Sequence, residues 1–291
     1  MTAAETYAAR VDAVLAQRTR LRGPQPPGDL FGALPPDHPL MMSDPRRALD
    51  PNLAVLASYV ESDDVIVDVG GGAGRFSLPL ALRCREVVNV DPSVAMGGGF
   101  TATAARAGVA NVRFVRGDWP LADPPTGDLV LVGHVTYLTR EIVPFLAALS
   151  AAACRRVLLV VNAPPPPTWN RQLFRLIYGE DEALVPGHVE LANVLWEMGI
   201  LPDIHVQPAP PPAMIPPVAS REEAVRLTLA RFPSEQWTLW PMEPVLAAHA
   251  HQVVEDNFDT LFAETPDGFV QRWITPGREV LITWETAQPA D

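Results

Sequence analysis

The residues Val65-Ile-Val-Asp-Val-Gly-Gly-Gly-Ala-Gly-Arg-Phe76 constrain this chain more than any other stretch. Val65 to Val69 is an apolar, β-branched run broken only by Asp68, a composition suited to a buried strand. Glycines follow at 70, 71, 72 and 74, and Phe76 to Leu82 returns to helical spacing of apolar side chains. Strand, glycine loop and helix in this order form a cradle for a nucleotide-type cofactor. The glycines admit a ligand close to the backbone, and the helix N-terminus offers free N–H groups.

The same alternation continues downstream. Strands are predicted at 65–69, 86–90, 112–116, 128–133 and 156–162, separated by helices at about 74–84, 93–107 and 140–153. Near-continuous apolar strands alternating with helices indicate a parallel sheet covered on both faces. Upstream, Tyr7, Val11, Val14, Leu15 and Leu21 mark an amphipathic helix over 2–22. A loop spans 23–44, and a second helix lies near 50–60. Downstream, helices are expected at 169–178, 188–199 and 243–263, with a short strand at 204–207. Ser220-Arg-Glu-Glu223 has the form of a capping box and opens a helix to about Phe232. Strands at 269–274 and 279–284 flank Thr275-Pro-Gly-Arg278 and read as a β-hairpin with its turn at Pro276-Gly277. The 32 prolines cluster at 24–27, 35–39, 164–167, 208–212 and 216–217, where they mark loops. One compact domain is expected, in three stretches: an N-terminal helix and Pro-rich loop (1–49), a cofactor-binding core (50–162), and a C-terminal half with a helical cap and the final hairpin (163–291).

Composition narrows the partners. Net charge is −12, and all 22 basic residues are arginine. An acidic chain without a basic stripe is poorly suited to a phosphate backbone, so no nucleic-acid partner is expected. The apolar runs at 129–132 and 157–161 are too short to span a membrane, and residues 1–22 lack the apolar core of a signal peptide. Cys84 and Cys154 form no paired motif and read as small side chains in a reducing compartment. A cytoplasmic location follows. His249 and His251 lie two apart on a predicted helix and face different directions, so no metal site is expected. Trp169, Tyr178, Trp196, Trp237, Trp240 and Trp273 are candidates for an aromatic substrate pocket, although such residues are more often core.

The dinucleotide fingerprint G-x-G-x-x-G/A needs its third glycine for close helix–strand packing. Starting from Gly70 that position is Arg75, and starting from Gly72 it is Ser77; neither frame fits. Asp68-x-Gly70-x-Gly72-x-Gly74 instead resembles the first motif of class I S-adenosylmethionine-dependent methyltransferases. Later segments extend the resemblance. Asp91 ends the second strand in Val-Val-Asn-Val-Asp-Pro-Ser, Gly117-Asp118-Trp119 follows the third, and Gly133-His134-Val135-Thr-Tyr137 follows the fourth. All fall at the C-terminal ends of successive strands, where open α/β sheets bind ligands. The resemblance covers roughly residues 50–162.

The resemblance implies an α/β, Rossmann-like fold: a seven-stranded, mostly parallel sheet with an antiparallel C-terminal edge and helices on both faces. The N-terminal helix and the helices between 163 and 263 are expected to roof the C-terminal edge. It further implies S-adenosylmethionine as cofactor, bound by Asp68, Gly70, Gly72, Gly74, Asp91, Met96, Asp118, Trp119 and His134. Asp68 would act on the cofactor ammonium, Asp91 would accept from the ribose hydroxyls, Met96 would lie against adenine, and Asp118 would accept from the adenine amine with Trp119 covering the ring. His134 would line the methionine end and is the first candidate for a general base. No Asn-Pro-Pro-Tyr motif follows the fourth strand, and the acceptor is expected to be a small molecule. One departure is Gly97-Gly-Gly99, where the family has helix formers; at ~1 kcal/mol per interior glycine a loop or distorted helix is expected there. The alternatives are an NAD(P)-binding oxidoreductase and a non-catalytic protein that retains the fold for regulation or assembly.

Overall fold

The computed structural model describes residues 1–25, 28–29, 31, 44–165, 171–208, 217–231, 244–273 and 277–286. Helix α1 (Ala3–Arg22) and helix α2 (Pro51–Ala57) precede the core. The core alternates β1 (Val65–Val69), α3 (Ser77–Ala81), β2 (Glu86–Asp91), α4 (Val94–Ala107), β3 (Val112–Arg116), β4 (Gly127–Gly133), α5 (Ile142–Ala152) and β5 (Ala153–Ala163). There follow α6 (Arg171–Tyr178), α7 (His188–Glu197), β6 (Asp203–Val206), α8 (Arg221–Arg231), α9 (Pro244–Asp256), α10 (Phe258–Leu261), β7 (Phe262–Thr265), β8 (Gly268–Gln271) and β9 (Arg278–Glu285).

Seven strands form one sheet in the order β3-β2-β1-β4-β5-β9-β6. The β1–β5 pairs are parallel, whereas β9 runs antiparallel to both β5 and β6. This is the mixed Rossmann-like sheet that the resemblance implied. Its strands bury both faces by simple alternation. Val67, Val130, Val132, Leu159 and Ile282 face α1, α5 and α7. Ile66, Leu129, Leu131, Leu158 and Leu281 face α2, α3 and α4. A third apolar cluster joins α6, α8, α9 and α10 to the β7–β8 ribbon around Phe174, Val254, Phe258 and Trp273. Among the described residues, no helix is long and apolar enough to cross a membrane.

Several sequence expectations need correction. Among the described residues β8 and β9 do not pair as a hairpin: β8 pairs with β7 in a separate two-stranded ribbon, and β9 inserts between β5 and β6. All six interior residues of β9 are buried, so its apolar run is satisfied by a central position and not by a hairpin arm. Pro276 of the expected turn lies outside the described residues. The helix expected at 243–263 breaks at Asn257, and Phe262 already belongs to β7. The helix after the glycine loop is confined to Ser77–Ala81. Helices α1 and α7 lie on a sheet face instead of roofing its edge, because Tyr7, Val11 and Val14 make an apolar stripe that needs a flat partner.

Gly97-Gly-Gly99 neither breaks nor distorts α4, which runs unbroken from Ser93, whose hydroxyl caps Met96 N, to a left-handed Gly108. The reason is packing: a Cβ on Gly97 would come 2.9 Å from Phe114 Cδ1 on β3 and closer still to other ring atoms. The glycine lets an aromatic strand residue lie against the helix backbone.

Candidate active site

The glycine loop leaves β1 through a turn that the backbone and side chains of β2 hold in place. Gly70 N donates to Val90 O at 2.7 Å, Asn89 Nδ2 donates to Gly72 O at 3.0 Å, and Gly72 N donates to Asp91 Oδ2 at 3.0 Å. Gly70 adopts φ +67°, and a Cβ there would overlap Val135, whose Cγ1 would lie at 3.3 Å. A valine wall from the β4 loop therefore closes directly on the glycine loop. Gly74 adopts φ +84°, and a Cβ there would sit 2.6 Å from Leu78 Cγ and 2.6 Å from Phe100 Cδ2, so the end of the loop is pressed between α3 and α4. Arg75 turns toward Glu279, with Nη2 3.5 Å from Oε1.

Asp68 lies under the loop and is 2% exposed. A Cβ on Gly71 would come 2.6 Å from its Cγ and 2.9 Å from Asn89 Cγ, so the loop backbone rests on these two polar side chains. Burial pushes the Asp68 carboxyl up to about 7, opposed by the Ser77 hydroxyl and reinforced by Asp91. Asp91 ends β2 with each oxygen accepting one backbone N–H, Oδ2 from Gly72 and Oδ1 from Ser93 at 2.8 Å. A carboxylate has about four lone-pair sites, so both oxygens keep capacity for further donors. Burial raises the Asp91 pKa; the Ser93 and Gly72 amides lower it, and Asp29 and Asp118 raise it further.

Met96 is buried and packs with Ala73 against Phe31. Gly117 N donates to Asp91 O at 3.2 Å, which brings the end of β3 beside that of β2. Asp118 is exposed, and the half-buried Trp119 packs against the core on the α1 side of the sheet. The structure thus gathers the glycine loop, Asp68, Asp91, Met96 and the 117–119 segment around adjoining strand ends.

His134 follows β4 with φ +63°, the one non-glycine residue with positive φ among those described. Its N–H donates to Val160 O at 2.9 Å. Ring Nε2 lies 3.0 Å from Glu279 Oε1, while Nδ1 lies 3.3 Å from both Tyr137 Oη and Asn162 Nδ2. Both ring nitrogens therefore face protein partners, a poor arrangement for the general base expected of this residue. Tyr137 is buried, accepts from Asn162 N at 2.6 Å, and has its phenol pushed well above the usual range by burial.

Two residues at this site were not anticipated. Asp29 accepts from Ser93 Oγ at 2.9 Å and Ala95 N at 3.1 Å, clamping the N-terminal segment to the start of α4. Glu279 is 9% exposed and gathers His134, Asn52 Nδ2 at 2.8 Å and Arg75 at 3.5 Å. Burial alone would raise its pKa, but His134, Arg75 and Asn52 together hold it below the usual carboxylate value. A glutamate opening an apolar strand was the sole sequence signal. Of the aromatic candidates, Trp273 is buried with Tyr178 packed on the third cluster, and Trp196 is exposed. Trp169, Trp237 and Trp240 lie outside the described residues.

The donor set fits S-adenosylmethionine. The carboxylates Asp91, Asp29 and Asp118 stand together at the ends of β2 and β3 and suit ribose hydroxyls and a cationic ligand, whereas a pyrophosphate would meet repulsion there.

Residues 66–156 match the methyltransferase domain family. The chain is 34% identical over 102 residues to the 23S rRNA (uracil(1939)-C(5))-methyltransferase RlmD of Aeromonas salmonicida, a match covering 29% of this chain and 23% of that protein. The chain spans between 14% and 53% of the lengths of the curated relatives it matches. Among solved structures, a candidate methyltransferase of Bacillus halodurans C-125 superposes with TM-score 0.53 at 14% identity, covering 82% of this chain and 98% of its own. The YcgJ protein of Bacillus subtilis gives 0.51 at 16% identity, covering 81% and 98%. These two likenesses concern the fold. Strand order, glycine loop and family match agree: the chain carries a class I S-adenosylmethionine-dependent methyltransferase domain.

Proposed function

We propose that this chain binds S-adenosylmethionine across the ends of β1, β2 and β4 and transfers its methyl group to a small-molecule acceptor. The observation that carries the cofactor assignment is Asp91, fixed by Gly72 N and Ser93 N beside the loop, with carboxylates as its charged neighbours. When bound, the cofactor supplies a methyl group on a sulfonium that is already a good leaving group. The protein's task is then alignment and exclusion of water. Asp91 would hold the ribose hydroxyls, and Met96 and Trp119 would border the adenine, with Asp118 near its amine. Gly70, Gly72 and Gly74 would keep the backbone low beneath the cofactor. Asp68, covered by Gly71, would favour an ammonium group above the loop by its charge and not by open contact. Val135 against Gly70 would supply an apolar wall, and His134 would contribute its backbone.

Net charge of −12 without any lysine supports a small acceptor over RNA. The likeness to an rRNA methyltransferase favours an RNA acceptor instead, but 77% of that relative lies outside the match. Calorimetric titration with S-adenosylmethionine, S-adenosylhomocysteine and NAD tests the cofactor. Asp91→Ala is expected to weaken S-adenosylhomocysteine binding about 100-fold, since it removes two hydrogen bonds to a charged acceptor at about 1.5 kcal/mol each. NAD binding without S-adenosylmethionine binding would end the reading. Formation of S-adenosylhomocysteine with a small-molecule acceptor panel, set against an rRNA fragment, decides the acceptor class; turnover of the RNA alone would reverse it.

A further inference from the structure

His134 holds a backbone conformation that a side-chain-bearing residue keeps only where its surroundings over-determine it. The backbone bond to Val160 O fixes one side of the residue. The ring is fixed from the other side, by Glu279 at Nε2 and by Tyr137 and Asn162 at Nδ1. Glu279 sits on β9 directly opposite Asn162 of β5, at the end of the sheet where the parallel strands finish. Its second oxygen takes the Asn52 amide from α2, and Arg75 from the glycine loop approaches the first. One buried carboxylate thus touches α2, the glycine loop and the β4 loop. A buried strand position that opens the apolar run Val280-Leu-Ile282 would be filled at lower cost by an apolar residue if packing were its only role.

We propose that Glu279 is a positioning residue of the transfer site: from β9 it holds the His134 ring, and through it the left-handed backbone of the β4 loop, against the glycine loop. This rests on the cofactor reading given above. Glu279 touches neither cofactor nor acceptor in this role. It sets the distance between the two loops whose Gly70 and Val135 meet, and so the shape of the slot around the methionine end.

The test combines ¹⁵N imidazole spectra, with His134 assigned by the resonance lost in His134→Gln, and calorimetry with S-adenosylhomocysteine. In the wild type, His134 is expected as the Nε2–H tautomer with a slowly exchanging proton. Glu279→Ala should abolish that protected signal and weaken S-adenosylhomocysteine binding by about tenfold, a coupling typical of a residue one contact removed from a ligand. Glu279→Gln is isosteric and keeps an acceptor for the ring, so it serves even where the alanine variant does not fold. It should retain the signal at a shifted position and bind about threefold more weakly, as Arg75 loses its charge partner. Wild-type affinity together with an unmoved His134 resonance, in either folded variant, would overturn the proposal. A wild-type protein that binds no S-adenosylhomocysteine would overturn the cofactor reading instead, while the His134 spectra would still show whether Glu279 holds the ring.

Discussion

Replacing Asp68 by asparagine isolates the cost of the carboxylate beneath the glycine loop. The group is 2% exposed, and burial, with help from Asp91, moves its pKa from 3.8 to about 7. The folded protein therefore holds this proton to higher pH than the unfolded chain does. Its contribution to stability is full below about pH 4 and is lost as pH rises through about 7. A gap of about three pH units at about 1.4 kcal/mol each makes the full loss about 4 kcal/mol, a large part of a typical domain's stability. Between pH 5 and pH 8, part of the loss has already occurred, and about 3 kcal/mol remains to be measured. The asparagine side chain would stand in for the protonated form at every pH. Urea unfolding of both proteins without cofactor should show the wild type losing about 3 kcal/mol more than Asp68→Asn across that interval. Asp91 and Glu182, whose pKa values are also raised by burial, are present in both proteins and largely cancel in the difference. Parallel stability curves over pH 5–8 would refute the reasoning, because they would mean that Asp68 is ionised in the folded state at no cost.

The α4 glycines should respond oppositely. Gly98→Ala, with open space around its Cβ, should raise stability by about 0.5–1 kcal/mol, whereas Gly97→Ala, pressed on Phe114, should lower it by about 1–3 kcal/mol; denaturant titration checks both. Gly70→Ala combines a left-handed φ with overlap on Val135 and should cost about 2–4 kcal/mol. Adding Val135→Ala should recover the overlap portion but not the conformational one, giving a coupling of about 1–2 kcal/mol in a double-mutant cycle.

The five parallel strands and the glycine loop were legible because their signals are local: β-branched runs, a glycine cluster, and polar residues at strand ends. What the chain folds across long separations was not. The ring contact of His134 with Glu279 spans 145 positions, and the Asp29 clamp on Ser93 spans 64. No periodicity encodes either. The Pro-Gly turn signal at 276–277 favoured a hairpin, yet the unbroken run Val280-Leu-Ile282 already resembled a strand buried on both faces more than a hairpin arm. Gly97-Gly-Gly99 misled for a related reason: helix propensity counts what glycine lacks, while Phe114 on a neighbouring strand needs that lack.

Two independent physical arguments converge on the cofactor. The first is steric: the third fingerprint position, 75, carries an arginine that approaches Glu279 and lies over the Phe76 ring at 4.8 Å. A dinucleotide site takes a glycine there for close helix–strand packing, which an arginine does not give. The second is electrostatic. Asp29, Asp68, Asp91 and Asp118 stand around one loop, and their mutual repulsion adds to burial in raising the pKa values of Asp68 and Asp91. A ligand bearing an ammonium and a sulfonium relieves that repulsion, whereas one bearing a pyrophosphate adds to it. A single substitution would defeat only one of these arguments: glycine at position 75 would restore the fingerprint and leave the carboxylates in place, still opposed to a dinucleotide.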